Sequence, residues 1–324
     1  MQQVRWGIIG CGNVTELKSG PAFNKVAHSS LVAVMRRDAT KAEDYAKRHQ
    51  VPRWYSDASQ LINDPEVDAV YIATPPDSHK DYALLVAAAG KICCVEKPMA
   101  LNSDECAQMV DVFAQQQLPL YVAYYRRSLP RFLQIKAWLD QQLIGEPRQV
   151  QWSFNRTPSA VDLAGHYNWR TDPATAGGGY FVDLASHGLD LLLYLLGDVV
   201  AVRGFSLNQQ QLYAAEDAVS AIWQFQSGCL GCGFWNFASA ERQDKVVIHG
   251  SKGRIEFSVF ENLPVQLVTE QHQLSLEIPH PENIQFYHVK AMVEDLLHGS
   301  GHPSTGKTAA RASWMMEQIL SQNY

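Results

Sequence analysis

A chain of 324 residues is long enough for two domains, and its 46% hydrophobic, 19% charged composition is that of a globular protein, not a disordered or collagenous one. A formal net charge of -6 argues against general binding to nucleic acid, and the longest apolar run, Leu191 to Leu196, falls far short of the roughly 20 residues that cross a bilayer. Six cysteines are too few for a disulfide scaffold, and no basic segment with an apolar export core follows Met1, so the expected setting is the reducing cytoplasm.

Up to residue 122 short apolar runs alternate with helical patterns. Val4 to Ile9, Leu31 to Met35, Ala69 to Ala73, Ile92 to Val95 and Leu118 to Ala123 read as strands, with helices over Thr40 to His49, His79 to Ala89 and Ser103 to Gln116. This alternation predicts a doubly wound parallel α/β sheet, the Rossmann arrangement, over residues 1–123. The first strand runs into Gly10-Cys11-Gly12-Asn13-Val14-Thr15, most of the dinucleotide-binding glycine pattern. Gly10 permits the tight turn, and Gly12 lets the backbone approach a pyrophosphate beside Asn13 and Val14. Thr15 stands where that pattern has Gly or Ala.

The tip of the second strand selects the cofactor, because an acidic residue there holds the NAD ribose and an arginine accommodates the extra phosphate of NADP. Arg36 and Arg37 occupy that tip, and Asp38 reads as the N-cap of the next helix. NADP(H) is therefore expected, with NAD(H) as the other option. The fourth expected strand ends in Glu96-Lys97-Pro98, and ligands of open parallel sheets sit beyond the carboxyl ends of the strands.

Behind residue 123 the pattern changes. Pro130 to Leu143 reads as a helix, and alternating apolar residues from Val150 to Phe154, Val219 to Phe225, Ile255 to Val259 and Leu274 to Ile278 read as one-sided strands. With Gly228 to Phe237 as a further strand and closing helices over Ile284 to His298 and Lys307 to Ser321, residues 124–324 are expected to form an α+β domain. Its open, mainly antiparallel sheet would be flanked by helices. Cys229 and Cys232 are three apart on a strand and so face opposite sides, with no second pair to complete a zinc site; no metal is expected. Within this half Gly177-Gly178-Gly179 precedes a helical pattern in which Asp183 and His187, four apart, share a face continued by Asp190. A polar stripe on an otherwise apolar helix behind three glycines suits a pocket; the alternative is a buried histidine paired with Asp183.

These marks, with Ala73-Thr74-Pro75-Pro76, His79 and Trp169-Arg170, make the chain resemble the glucose-fructose oxidoreductase, inositol dehydrogenase and rhizopine-catabolism family over nearly its full length. The resemblance implies hydride transfer between a nicotinamide cofactor and a carbohydrate CH-OH or C=O group, with Lys97, Asp183 and His187 around the reacting carbon. It implies cofactor contacts from Gly10, Gly12, Asn13, Val14, Arg36, Arg37, Thr74, Pro75, His79, Glu96 and Lys97. Tyr125, Arg126, Tyr167, Trp169 and Arg170 fall where the family binds sugar, and assembly as a homodimer or homotetramer through the outer face of the antiparallel sheet is implied. Val34-Met35 before a charged tip, with Asp44-Tyr45-Ala46, resembles an NADP-using reductase branch. Two other readings stay open: a glycosidase of this fold that uses NAD, and a regulator that senses dinucleotide or sugar without turnover.

Overall fold

The structure, a computed structural model, describes residues 2–321. Two compact units divide the chain, Met1–Ser128 with Pro281–Ala310 and Leu129–His280 with Arg311–Tyr324.

In the front unit β1 (Val4–Ile9), β2 (Ser29–Met35), β3 (Arg53–Tyr55), β4 (Ala69–Ile72), β5 (Ile92–Val95) and β6 (Leu120–Val122) form a six-stranded sheet ordered β3-β2-β1-β4-β5-β6. Every pairing is parallel, as the alternation of elements required. The order reverses between β1 and β4, and such a switch point opens a crevice at the carboxyl ends of the strands. Between the strands run α1 (Asn13–Leu17), α2 (Gly20–Lys25), α3 (Ala39–His49), α4 (Ala58–Ile62), α5 (His79–Ala88) and α6 (Ser103–Gln115). Asp38 caps α3 by accepting from the Lys41 N–H, and Lys47, Arg48 and His49 close it where the carbonyls are unpaired. The short elements α1, α2, β3 and α4 lie below the length at which periodicity shows.

The rear unit opens with α7 (Pro130–Asp140), β7 (Pro147–Asn155), α8 (Ala160–Leu163), α9 (Pro173–Ala176) and α10 (Ser186–Leu196). β8 (Val199–Leu207), β9 (Ala218–Phe225), β10 (Leu230–Asn236), β11 (Gln243–Gly250), β12 (Gly253–Phe257), β13 (Val265–Thr269) and β14 (Gln273–Leu276) follow. With β7 they make an eight-stranded sheet, β14-β13-β12-β11-β7-β10-β9-β8, antiparallel except between β7 and β10. Its inner face buries Trp152, Phe154, Trp223, Trp235, Val246 and Ile255. Gly231 and Gly233 make room for these rings, since a Cβ on either would lie 2.1 Å from Trp223 or Trp235. On the outer face of β8, β9 and β10, Phe205, Ile222, Leu230 and Phe234 are each more than half exposed.

The chain closes with α11 (Phe286–His298) and α12 (Gly306–Leu320). Val289, Met292 and Val293 of α11 belong to the core cluster of Val4, Trp6, Phe23 and Tyr71, so this helix completes the front unit. A single division near residue 123 does not contain that return. An amphipathic pattern says that a helix buries one face but not which core receives it.

Candidate active site

The front group of site residues lies along the carboxyl edge of the parallel sheet. Gly10 follows β1 with φ +89, and a Cβ there would stand 2.9 Å from the Thr74 backbone nitrogen beyond β4. Only glycine meets both demands. Gly12 begins α1 with no side-chain cap, and a Cβ on it would meet nothing nearer than the Gly10 carbonyl at 3.8 Å, so its outer side is open. A dinucleotide fits this edge: bare backbone at Gly12 with Asn13 and Val14 behind it forms a cradle for a pyrophosphate.

Thr15 resolves the departure from the glycine pattern. Its hydroxyl turns back onto the Gly12 carbonyl at 2.8 Å, and its own carbonyl accepts from the buried Tyr45 hydroxyl at 2.9 Å. The close approach that a third glycine would give falls instead to Gly20, where a Cβ would lie 2.2 Å from the Thr15 carbonyl oxygen. At the β2 tip Arg36 donates to the Cys11 carbonyl at 3.3 Å, Arg37 is exposed, and Asp38 is engaged with the Lys41 N–H at 3.2 Å. That hydrogen bond lowers the Asp38 carboxyl below its usual range.

Beyond β4, Thr74 and Pro75 are half-buried. His79 is fully buried, with one ring nitrogen 2.8 Å from the Thr74 carbonyl and the other 3.0 Å from that of Pro98. It therefore joins the turn after β4 to the turn after β5, and burial pushes its ring below its ordinary pKa. In the second turn Glu96 is buried and Lys97 half-buried. Glu96 Oε2 accepts from the Lys97 N–H at 3.1 Å, while Oε1 accepts from the Tyr71 hydroxyl and, at 2.7 Å, from Gln285. Tyr125 and buried Arg126, with the guanidinium 4.9 Å from the Tyr125 ring, stand in a 3-10 turn that belongs to the front unit, not the rear one.

The rear group gathers around the start of α10. Gly177 ends α9 in the left-handed region at φ +78, and Cβ atoms on Gly178 and Gly179 would lie 2.5 Å from Val182 and 2.7 Å from Ala215. Phe181–Ala185 then form a π-helical turn that carries Asp183, before α10 presents buried His187 and Asp190. Wide turns of this kind occur mostly as single turns within α-helices, frequently at functional sites. Gly188 seats α10 directly on Trp152, because a Cβ there would stand 2.3 Å from the indole ring. The His187 ring meets Phe260 edge to face at 5.9 Å.

Arg170 pairs with Asp183 at 3.4 Å and stacks over Trp169 at 4.4 Å, so these three expected residues come together. Tyr167 is 75% exposed and donates to Asp172 at 3.1 Å. The segment bearing them is fixed by buried Asp162, which accepts from the hydroxyls of Ser159 and Tyr180, each at 2.6 Å, and from Asn168 at 3.1 Å. Glu216, which accepts from the Gly179 N–H at 3.3 Å, was not expected; burial raises its carboxyl pKa. Cys229 is buried and Cys232 half-buried, both as free thiols.

Two family models match. Residues 4–124 fit the oxidoreductase family with an NAD-binding Rossmann fold, and residues 132–256 fit the GFO/IDH/MocA C-terminal domain. The chain is 38% identical over 319 residues to oxidoreductase P35 of Formosa agariphila, covering 97% of this chain and 98% of that one. It is 28% identical to the trans-1,2-dihydrobenzene-1,2-diol dehydrogenase of Bos taurus, over 89% of this chain and 84% of the relative. Among solved structures, a levoglucosan dehydrogenase in complex with NADH and levoglucosan superposes with a TM-score of 0.88 over 98% of this chain and 96% of that one, at 20% identity, a likeness of fold. Strand order, glycine cradle and full-length similarity agree, and the chain belongs to the GFO/IDH/MocA oxidoreductase family.

Proposed function

We propose that this protein interconverts a ring carbinol and its ketone in a sugar, polyol or related carbohydrate, with NADP(H) as the preferred cofactor. The observation that carries the reading is the row of Gly10, Thr74 and the Glu96-Lys97 turn along one edge of the parallel sheet. The relatives support the substrate class, since one is named for a cyclic diol and a structural neighbour for levoglucosan. Support for NADP(H) comes from the β2 tip, where exposed Arg37, beside Arg36 with its bond to the Cys11 carbonyl, offers a basic group to a phosphate while Asp38 is used as a helix cap.

A bound nicotinamide would supply the hydride donor or acceptor for the substrate carbon. His187 moves the carbinol proton, because imidazole titrates near neutrality and can serve in either direction. Lys97 donates to the same oxygen and steadies the negative charge that develops on it. Asp183, held by Arg170, orients His187 or a neighbouring hydroxyl, and Tyr125, Arg126, Tyr167 and Trp169 bind the rest of the ring. Gly10, Gly12, Asn13, Val14, Thr74, Pro75 and Glu96 would hold the cofactor, with His79 keeping the turns after β4 and β5 in register. The protein works in the cytoplasm, in keeping with six free thiols, and assembles as a homodimer or homotetramer through the apolar outer face of β8, β9 and β10.

The test is a screen of sugars, inositols and deoxy ketosugars against both cofactors in both directions, followed by absorbance of the reduced nicotinamide. Turnover of a ring carbinol or ketone with tighter NADP(H) is expected. Tighter NAD(H) would overturn the cofactor preference, and cleavage of aryl glycosides on a retained cofactor would replace the reaction.

A further inference from the structure

We propose that Gln285 is a positioning residue for Lys97, acting through the Glu96 carboxylate. The inference rests on the role proposed above for Lys97, and on a contact between residues 189 positions apart in the chain. Gln285 stands just ahead of α11 and is 1% exposed. Its Nε2 donates to Glu96 Oε1 at 2.7 Å and lies 3.4 Å from the Tyr71 hydroxyl, which donates to the same oxygen. The other oxygen, Oε2, accepts from the Lys97 backbone N–H at 3.1 Å. The carboxylate is thus gripped at both ends, and one of its donors is the amide of the residue it must aim.

Three features make this more than a packing contact. Tyr71, Glu96 and Gln285 are all buried, so water does not readily replace a lost donor, and a buried acceptor left short pulls its neighbours out of place. Burial, and then the adjacent Glu96 charge, push the Tyr71 phenol well above its usual range, so it stays a donor at every working pH; the titratable groups around this cluster also include Lys97 next to Glu96, the Cys94 thiol, raised by burial, with His288 against it, and the His79 ring, lowered by burial. The segment ahead of α11 also fastens the end of α1: the Gln285 N–H donates to the Lys18 carbonyl at 3.2 Å and Asn283 Nδ2 to that of Leu17 at 2.6 Å. One short stretch holds both the helix behind the glycine cradle and the turn bearing Lys97. Displacements of about 1 Å in such an arrangement can cost 100-fold in rate.

Two variants test this. Gln285→Met keeps length and removes the donor. Gln285→Glu offers a donor only while protonated, and on ionising sets a second carboxylate against Glu96. Acylation of Lys97, measured by mass spectrometry in the protein without cofactor and normalised to the exposed Lys47, should quicken at least threefold in Gln285→Met. In Gln285→Glu the same ratio should stay near the parent value in acid and rise towards neutral pH. The kcat of Gln285→Met should fall at least tenfold with a smaller change in KM, and Gln285→Glu should lose kcat as pH rises along a limb the parent lacks. Should Gln285→Met not fold, the pH dependence of the Gln285→Glu ratio decides the matter alone. A Lys97 ratio identical to the parent in the variants that fold overturns the inference. Absence of nicotinamide-linked turnover in the parent overturns the reading of the reaction, while the labelling ratio still rules on Gln285.

Discussion

The two units hold their site residues by different means. In the front unit the register of parallel strands does the work: Ile9, Ile72 and Val95 lie in one row, so the turns that follow them emerge side by side. In the rear unit the site residues follow from tertiary packing, a π-helical turn behind three glycines and a helix seated on the Trp152 ring through Gly188. A site set by backbone pairing tolerates changes of side chain around it. One set by side-chain packing shares its tolerance with the core.

The largest effect is expected at Lys97, from the role proposed for it. Lys97→Met should lower kcat by about 1,000-fold while cofactor titration by fluorescence still saturates, in line with removal of one donor from a developing oxyanion. Near-parent rates would mean that the sheet edge only binds.

Acid should then separate the units. His288 and His302 are buried in the front unit, and burial lowers both rings, that of His302 from its ordinary 6.5 to about 4. Below pH 6.5 the unfolded chain binds protons that the folded rings refuse, so front-unit stability drains between pH 6.5 and about 4, by of order 3 kcal/mol for His302. In the rear unit the raised Glu216 carboxyl works in the opposite sense, contributing stability while protonated below 4.5 and losing it as pH rises through its folded value. Hydrogen exchange at descending pH should report opening of the front sheet first, and His302→Phe should flatten that slope.

Glycine substitutions sharpen the contrast. Gly188→Ala drives a methyl into Trp152 and should cost about 1–3 kcal/mol in urea unfolding, with turnover falling as His187 shifts. Gly10→Ala meets backbone at an unfavourable φ, and its loss should appear foremost in cofactor affinity. Equal effects on affinity from both would erase the distinction. The smallest change is expected from Arg170→Ala. This half-exposed pair with Asp183 is worth under about 1 kcal/mol, seen as a few-fold rise in KM.

What the sequence made legible follows the same division. β1 and β5 begin and end where their apolar runs do, because buried parallel strands write themselves as continuous hydrophobic stretches. The Asp38 cap was readable for a similar local reason. β8 is hard to read in the sequence because exposed Phe205 and Leu207 put apolar residues on its outer face and a register shift at Val200 breaks the alternation a one-sided strand would show. The four-residue spacing of Asp183 and His187 marks a helical stretch but not its π-helical turn, which no local pattern shows. Gln285, a single polar residue ahead of a helix, carries no signal at all until the fold brings it to Glu96.

The return of α11 to the front core bears on how the chain matures. A ribosome releases the six parallel strands early, yet Val289, Met292 and Val293 emerge only after the whole of Leu129–His280 has been made. Throughout that interval the nascent front half is an incomplete body with apolar surface awaiting its last helix. A fragment ending at Ser128 reproduces this state permanently, and is expected to engage chaperones or aggregate where the intact chain does not.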